Sequence, residues 1–104
     1  MKVVLTEAAK ADLIEIGEFI GTHNPKRAAS FVNELLNRCE ALGDMPRAFP
    51  LIPRYENHGV RRLIHRDYLI FYRLNGERVE VLHILNGARA VSYTHLTLPT
   101  SDLV

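Results

Sequence analysis

Apolar residues in the first half of the chain recur at the spacing of two amphipathic helices. The first stripe repeats every three or four positions after Thr6, through Ala9, Leu13, Ile16 and Ile20. The second stripe follows Pro25 and consists of Ala28, Phe31, Val32, Leu35, Leu36, Cys39 and Leu42. Because only residues 21–24 separate the two predicted helices, they are expected to lie antiparallel, as an αα-hairpin with one buried face on each helix.

Both predicted helices carry capping residues at their ends. Thr6 and Asn24 can each accept a hydrogen bond from a first-turn N–H group through a side-chain oxygen. Pro25 suits the first helical position, because an N–H group there would have no partner in the helix. Gly43 is expected to end the second helix as a C-terminal cap.

The rest of the pattern predicts a sheet. Strands are expected at residues 2–5, 60–64, 68–74 and 78–85. Asn75 and Gly76 are expected to supply the positive-φ residues of a tight hairpin turn between the last two strands. The element order β-α-α-β-β-β therefore predicts an α+β domain in which a helical hairpin packs on a small antiparallel sheet.

A loop is expected between the hairpin and the sheet. Residues 45–53 contain three prolines and show no period, which is typical of an irregular connection. Phe49, Leu51 and Ile52 are nevertheless apolar, so we expect all three side chains to fold back onto the core.

Length and composition restrict the class of protein. A chain of 104 residues with 47% apolar residues can bury one core without a disulfide or a metal ion. Cys39 is the only cysteine, so the fold does not depend on an oxidising compartment. No apolar run approaches the roughly 18 to 20 residues that span a membrane. We expect a cytoplasmic protein with no cofactor, no metal ion and no membrane partner.

The formal net charge of +1 hides an uneven distribution. Residues 1–45 carry five basic and seven acidic side chains, whereas residues 46–104 carry eight basic and five acidic ones. The eight basic residues are all arginine: Arg47, Arg54, Arg61, Arg62, Arg66, Arg73, Arg78 and Arg89. Arginine presents a planar fork of donors that matches phosphate and carboxylate, so this half favours an anionic partner, with a merely solvated sheet face as the alternative.

The last segment differs from the rest of the chain. Residues 91–104 are rich in threonine and serine and contain a single charged residue, Asp102. Their first ten residues, Val-Ser-Tyr-Thr-His-Leu-Thr-Leu-Pro-Thr, resemble a translated frame of a sequencing-library transposon end. We therefore expect one domain at residues 1–90, a junction with foreign DNA near Ala90, and a non-native tail at residues 91–104. A native disordered tail is the alternative.

Several features together resemble the RelE/ParE superfamily of toxins, and its ParE branch most. They are the opening Lys2-Val3-Val4-Leu5-Thr6-Glu7-Ala8-Ala9 with Asp12-Leu13, the pair Arg61-Arg62, the strand Tyr68-Leu69-Ile70-Phe71-Tyr72-Arg73, and the ending Val81-Leu82-His83-Ile84-Leu85-Asn86-Gly87-Ala88-Arg89. The resemblance covers roughly residues 2–90, and it rests on the joint order of these features.

The resemblance implies the toxin component of a bacterial type II toxin–antitoxin system, held inactive by a cognate antitoxin. ParE-like members, the plasmid stabilisation branch, poison DNA gyrase, which implies a gyrase inhibitor here. The alternatives are a RelE-like endonuclease that cuts mRNA on the ribosome, and a truncated, inactive toxin that only binds antitoxin. Operator DNA is expected to be bound only through the antitoxin, because a net charge of +1 gives little independent drive for duplex binding.

Five arginines are the expected target-binding residues: Arg61, Arg62, Arg66, Arg73 and Arg89. Arg61 and Arg62 are adjacent on a strand and point to opposite faces, so at most one can join Arg73, and the sequence leaves open which. Alanine at Arg61, Arg73 or Arg89 is expected to relieve toxicity with the fold intact, since an exposed arginine contributes about 0.5 kcal/mol or less to stability.

A metal-free endoribonuclease would need a base, an acid and fixed cations close together. The catalytic candidates for such an enzyme would be Arg61, Arg73, His83 and Arg89. RelE-like enzymes take the acid or stacking residue from the segment after the last strand, where residues 86–89 offer neither histidine nor tyrosine. His83 alternates with Val79, Val81 and Leu85, which favours a hydrogen-bonded core residue. The enzyme question stays open, and these features favour a binding toxin.

Overall fold

The computed structural model describes residues 1–87, which form two helices and a four-stranded sheet. The elements in chain order are β1 (Lys2–Leu5), α1 (Glu7–Gly21), α2 (Pro25–Ala41), a single 3₁₀ turn (Glu56–His58), β2 (Arg61–His65), β3 (Tyr68–Asn75) and β4 (Arg78–Asn86). The predicted α+β class and element order are confirmed. The predicted tail at residues 91–104 and the candidate Arg89 lie outside the described residues.

The helices begin where the capping residues predict. The Thr6 side chain accepts a hydrogen bond from the Ala9 N–H at 3.1 Å, and α1 starts at the next residue, Glu7. The Asn24 side chain accepts one from the Arg27 N–H at 3.1 Å, with Pro25 in the first turn of α2. Each cap satisfies an N–H group that has no partner within its own helix.

Gly43 does not end α2 as predicted. The helix closes at Ala41 with Leu42 in the right-handed α conformation, and Gly43 is not among the described residues with positive φ. Instead, the amino group of Met1 donates a hydrogen bond to the Gly43 carbonyl at 2.9 Å, and a Cβ at Gly43 would collide with the Met1 carbonyl oxygen. The glycine is therefore needed for a close backbone approach that lies 42 residues away in sequence.

The strand order across the sheet is β1-β4-β3-β2. Strands β2, β3 and β4 are antiparallel, as predicted, but β1 pairs with β4 in parallel, so the sheet is mixed. A parallel neighbour requires a long crossover, and both helices together with β2 and β3 lie between β1 and β4 in the chain.

The hairpin turn lies one residue later than predicted. Asn75 pairs with Arg78, so the two loop residues are Gly76 and Glu77, and of these only Gly76 has positive φ, at 65°. Glycine at the first loop position is what a type II′ hairpin turn prefers, because the positive φ there carries no Cβ penalty. Asn75 is the last residue of β3 and does not supply the turn conformation.

Each face of the sheet carries an apolar layer. On one face, here called the helix side, the helices cover Ile70, Tyr72, Val79, Val81 and Ile84. On the other, the outer side, Leu69, Phe71, Leu82 and Leu85 pack with Ile52, Tyr55 and Val60 from the segment that precedes β2. The sheet is thus covered by helices on one side and partly by an irregular segment on the other.

Two of the three predicted loop anchors reach these layers. Ile52 is buried in the outer layer, and Phe49 packs against the helix-side core. The prediction for Leu51 is wrong: the residue is exposed and forms an isolated antiparallel bridge with Arg61. Since Arg61 begins the edge strand β2, this bridge pairs part of an edge that would otherwise be open.

A β-bulge in β4 reverses the alternation of its side chains. The register between β3 and β4 shifts between Phe71 and Tyr72, which leaves Leu82 as an extra residue in β4. Val81, before the bulge, faces the helix side, whereas Leu85, beyond it, faces the outer side. The prediction that these two residues share a face is therefore wrong. Side chains of a strand alternate between its two faces, so one inserted residue moves every later side chain to the opposite face.

Neither helix in the described part of the chain is long and apolar enough to cross a membrane.

Candidate functional site

The two adjacent arginines of β2 serve different faces of the sheet. Arg61 lies opposite Tyr72, which belongs to the helix-side core, and Arg62 lies opposite Phe71 of the outer layer. Cross-strand partners share a face, so Arg62 points to the outer side together with Arg73, two residues beyond Phe71 on β3. The question left open by the sequence is settled in favour of Arg62.

Arg61 is bound within the fold. Its Nη1 donates a hydrogen bond to the Phe49 carbonyl at 2.7 Å and a longer one to the Arg47 carbonyl at 3.4 Å. Beside it, the Tyr72 hydroxyl donates to the Pro46 carbonyl at 2.9 Å, and burial raises the pKa of that hydroxyl. These contacts hold the loop of residues 45–53 against the sheet and give Arg61 a structural role, while its binding to a target stays a prediction.

Within residues 1–87, each of the four strands carries one cation on the outer side, and we call these four residues the outer basic row. They are Arg62 on β2, Arg73 on β3, Arg78 on β4 and Lys2 on β1. Arg78 and Lys2 are exposed, and Arg62 and Arg73 are half-buried. Lys2 lies directly opposite Arg78.

Glu80 organises the middle of this row. Its carboxylate accepts a hydrogen bond from Arg73 Nε on one oxygen and from Asn75 Nδ2 on the other, both at 3.1 Å. The Asn75 hydrogen bond, then that from Arg73, lowers the pKa of Glu80 despite partial burial. The hydrogen bond to Glu80 uses Nε of Arg73, and each of its two terminal nitrogens carries two further N–H donors.

The sequence reasoning missed two members of the row. Arg78 could have been found from its strand, since it alternates with Glu80 and so shares the face of Arg73. Lys2 could not, because nothing in the sequence shows that the first strand pairs with the last.

Arg66 belongs to a separate cluster around Glu34 of α2. The Glu34 carboxylate accepts hydrogen bonds from Arg27 Nη1 at 2.6 Å, His65 Nε2 at 3.0 Å and Arg66 Nε at 3.3 Å. The Arg27 contact, followed by that of His65, lowers the pKa of Glu34 from 4.5 to about 2. The Arg27 guanidinium also lies 5.0 Å from the centre of the Phe31 ring. The cluster ties α2 to the turn between β2 and β3.

Arg66 has a strained backbone for its residue type. Its φ is 55°, in the left-handed region, at the first loop position between the paired residues His65 and Tyr68. Its side chain is 62% exposed. Arg66 is therefore accessible, as a target-binding residue must be, but it lies apart from the outer basic row because it contacts the helical layer.

His83 is held by the first helix. Its Nδ1 lies 3.0 Å from Oδ2 of Asp12, and the same oxygen accepts the Ile84 N–H at 2.9 Å. His83 is buried, in keeping with the predicted hydrogen-bonded core histidine. Thr6 adds a second link, since its hydroxyl lies 3.0 Å from the Val81 carbonyl oxygen. Together, Asp12 and Thr6 fasten α1 to the bulged part of β4.

The candidates for a nuclease site are not brought together within residues 1–87. Arg61 binds loop carbonyl groups, Arg73 binds Glu80 on the outer side, and His83 binds Asp12 of α1. Each polar group thus has a different structural partner. No group of three or more histidine, cysteine or acidic residues suited to a metal ion occurs within this range either.

Two grooves flank α1. The first, of about 370 Å³, is lined by Asp12, Glu15, Ile16, Phe19, Tyr68, Ile84, Leu85 and Asn86. The second, of about 610 Å³ and more open, is lined by Lys2, Val3, Val4, Leu5, Lys10, Leu13, Ile14 and Leu36. Each has one strongly exposed apolar residue, Phe19 in the first and Ile14 in the second. The charged residues are acidic in the first groove and basic in the second.

Comparisons with known proteins identify similar chains. A family model described as the ParE toxin of the type II toxin–antitoxin system parDE matches residues 3–91. Toxin ParE3 of Caulobacter vibrioides is 32% identical over 89 residues, which cover 83% of this chain and 86% of that protein. A chain of the chromosomal ParDE system from P. aeruginosa is similar in structure, with a TM-score of 0.72 and 25% identity over 83% of this chain and 95% of that one.

A chain of the toxin–antitoxin complex RelBE2 from Mycobacterium tuberculosis shares the fold. Its TM-score is 0.55 at 21% identity, over 82% of this chain and 95% of that one.

Proposed function

This chain belongs to the ParE toxin family of type II toxin–antitoxin systems, and we propose that it acts by binding and inhibiting DNA gyrase in the cytoplasm. The observation that carries the proposal is the match to the ParE toxin model over residues 3–91. The separation of Arg61, Arg73 and His83 supports it, because a nuclease would need its acid, base and cations around one phosphate.

We propose that the target binds on the outer side of the sheet. There Arg62 and Arg73 share a face with Arg78 and Lys2, whereas Arg61 is bound to the loop carbonyls. An exposed row of arginine and lysine suits an anionic surface, and arginine forks bind phosphate or carboxylate with two parallel hydrogen bonds.

The test is to add the purified full chain separately to a gyrase supercoiling assay and to a ribosomal translation assay. We expect loss of supercoiling at concentrations that leave translation unchanged. Cleavage of mRNA with intact gyrase activity would contradict the proposal and support an endonuclease. If both assays are unaffected while the antitoxin still binds, the chain is an inactive toxin.

A cognate antitoxin is the second proposed partner. The groove between β1 and α1 suits an amphipathic segment, because Val3, Leu13 and Ile14 contribute apolar surface to its lining and Lys2 and Lys10 contribute two cations. Acidic side chains of the antitoxin would complement these lysines. Operator DNA is then reached through the antitoxin. Copurification of the chain with the product of a neighbouring small reading frame tests this partner.

A further inference from the structure

We propose that the outer basic row, Lys2, Arg62, Arg73 and Arg78, binds the phosphodiester backbone of duplex DNA. This inference rests on the proposed function, since gyrase acts on duplex DNA and a protein that binds gyrase can therefore lie close to that DNA. The row contacts that DNA, so the anion it recognises is phosphate and not a carboxylate patch on the enzyme.

The row runs diagonally across the sheet. Arg62 lies opposite Phe71, and Arg73 is two residues further along β3. Arg73 lies opposite Glu80, and Arg78 is two residues from Glu80 in the same direction along the sheet. Each step from one arginine to the next is thus a diagonal cross-strand step of about 7–8 Å. Consecutive phosphates of one strand of duplex DNA lie about 7 Å apart through space, because the backbone winds around the axis while it rises about 3.4 Å per nucleotide, so successive arginines match neighbouring phosphates.

The charges of the row favour a bound anion. Lys2 and Arg78 are direct neighbours on paired strands, and like charges in that position destabilise a sheet. Glu80 lies within the row: its carboxylate accepts hydrogen bonds from Arg73 Nε and Asn75 Nδ2, and its charge also attracts Arg78. One carboxylate among four cations leaves the row positive. A backbone phosphate between the cations relieves the repulsion and accepts the remaining donors.

The surroundings of the row favour DNA over an acidic protein. Between the cations lie Val4, Asn75 and Glu80, so this part of the sheet offers little apolar surface. Protein–protein interfaces bury an apolar core from which charged residues are depleted. Protein–DNA interfaces are more polar and strongly positive, and they are dominated by phosphate contacts.

The low net charge of +1 limits the affinity of the chain for free DNA, but the local positive charge of the row remains. Seven of the twelve acidic residues belong to residues 1–45, whereas Glu80 lies within the row and Glu77 lies in the adjoining hairpin turn. Binding to free duplex is therefore weak and independent of sequence, which is compatible with operator recognition through the antitoxin.

The experiment measures binding of the full chain to a labelled duplex of about 20 base pairs by fluorescence anisotropy, over about 50 to about 200 mM salt. If the row neutralises four phosphates, the plot of the logarithm of the binding constant against the logarithm of the salt concentration has a slope of about −3.6. If Glu80 cancels Arg73, only three phosphates are neutralised and the slope is about −2.7. Affinity then falls about 40- to 150-fold over this range.

In the Arg62→Ala/Arg78→Ala double variant, which lacks two of the cations, the slope is expected to be shallower by about 1.8. Lys26→Ala, an exposed cation in α2, is the control and is expected to leave the slope unchanged.

A parallel supercoiling assay separates the two proposals. Binding with the expected slope but no inhibition of gyrase by the unmodified chain overturns the gyrase proposal and leaves the DNA-binding row standing. Inhibition that the double variant loses, without measurable DNA binding by the unmodified chain, overturns the row as a phosphate site and indicates an acidic protein surface. The phosphate site is also overturned if the double variant and Lys26→Ala change the salt slope by the same amount.

Discussion

Asp12 on α1 and His83 on β4 are joined by a hydrogen bond of 3.0 Å, although 71 residues separate them in the chain. The same Asp12 oxygen accepts the Ile84 N–H group, so one carboxylate satisfies two donors just beyond the β-bulge. The pair fastens the first helix to the central part of the sheet and gives His83 a structural role.

Asp12→Ala is expected to lower the free energy of unfolding by about 1–3 kcal/mol, because two partly buried donors lose their acceptor. Asp12→Asn is the matched control. Its amide oxygen can still accept from Ile84, so the loss should be smaller. Urea denaturation monitored by circular dichroism measures both values. Equal stability of the alanine variant and the unmodified chain would show that water replaces the carboxylate.

Arg61→Ala is expected to destabilise the fold by about 1–3 kcal/mol, since the charged guanidinium donates to the Phe49 and Arg47 carbonyls. This revises the expectation of a change near 0.5 kcal/mol from the sequence. Arg78→Ala, at an exposed position, should stay within about 0.5 kcal/mol. The comparison is made by thermal and urea unfolding. A stable Arg61→Ala variant without toxicity would instead return Arg61 to the target-binding residues.

Glu34 gives the fold a defined dependence on acid. Hydrogen bonds from Arg27 and His65 lower its pKa from 4.5 to about 2, so its contribution to stability is present above about pH 4.5 and is lost as the pH falls toward 2. The free energy of unfolding should therefore be higher for the unmodified chain than for Glu34→Gln at neutral pH, and the two should converge on acidification. Denaturant titrations across this range test it. A gap that does not change with pH would contradict the prediction.

The two grooves beside α1 can be distinguished with a matched pair of substitutions. Ile14 and Phe19 are 64% and 67% exposed, so glutamate at either position should change stability by about 0.5 kcal/mol or less. If the antitoxin occupies the groove between β1 and α1, Ile14→Glu should weaken its binding at least about tenfold, through a buried charge, and Phe19→Glu should not. Isothermal titration with the antitoxin gives both affinities. The reverse order would place the antitoxin in the other groove.

Local features of the sequence determined the elements. The capping residues Thr6 and Asn24 begin the helices where predicted, because a cap acts on N–H groups two or three residues away. The apolar stripes likewise identified which helix faces are buried. Gly76 marked the hairpin, although the turn lies one residue later than expected, since the pattern alone does not specify which residue ends the strand.

The candidate site was only partly determined by sequence. The alternation of side chains along a strand showed that Arg61 and Arg62 face opposite sides of the sheet. It did not show which of them faces the loop and which shares a side with Arg73. That choice depends on the pairing of β2 with β3 and on the path of residues 45–53, which supply the Arg61 partners. Both are contacts between distant segments, and no spacing rule encodes them.

The sequence by itself determined an α+β domain with an arginine-rich sheet and the family it resembles. Only the tertiary structure decided that β1 lies parallel to β4, that a bulge at Leu82 reverses the alternation, and that Lys2 and Arg78 complete a row with Arg62 and Arg73. The physical reason is that periodicity records which side chains share a face within one element. Register and strand order come from packing between elements, where one inserted residue exchanges the two faces.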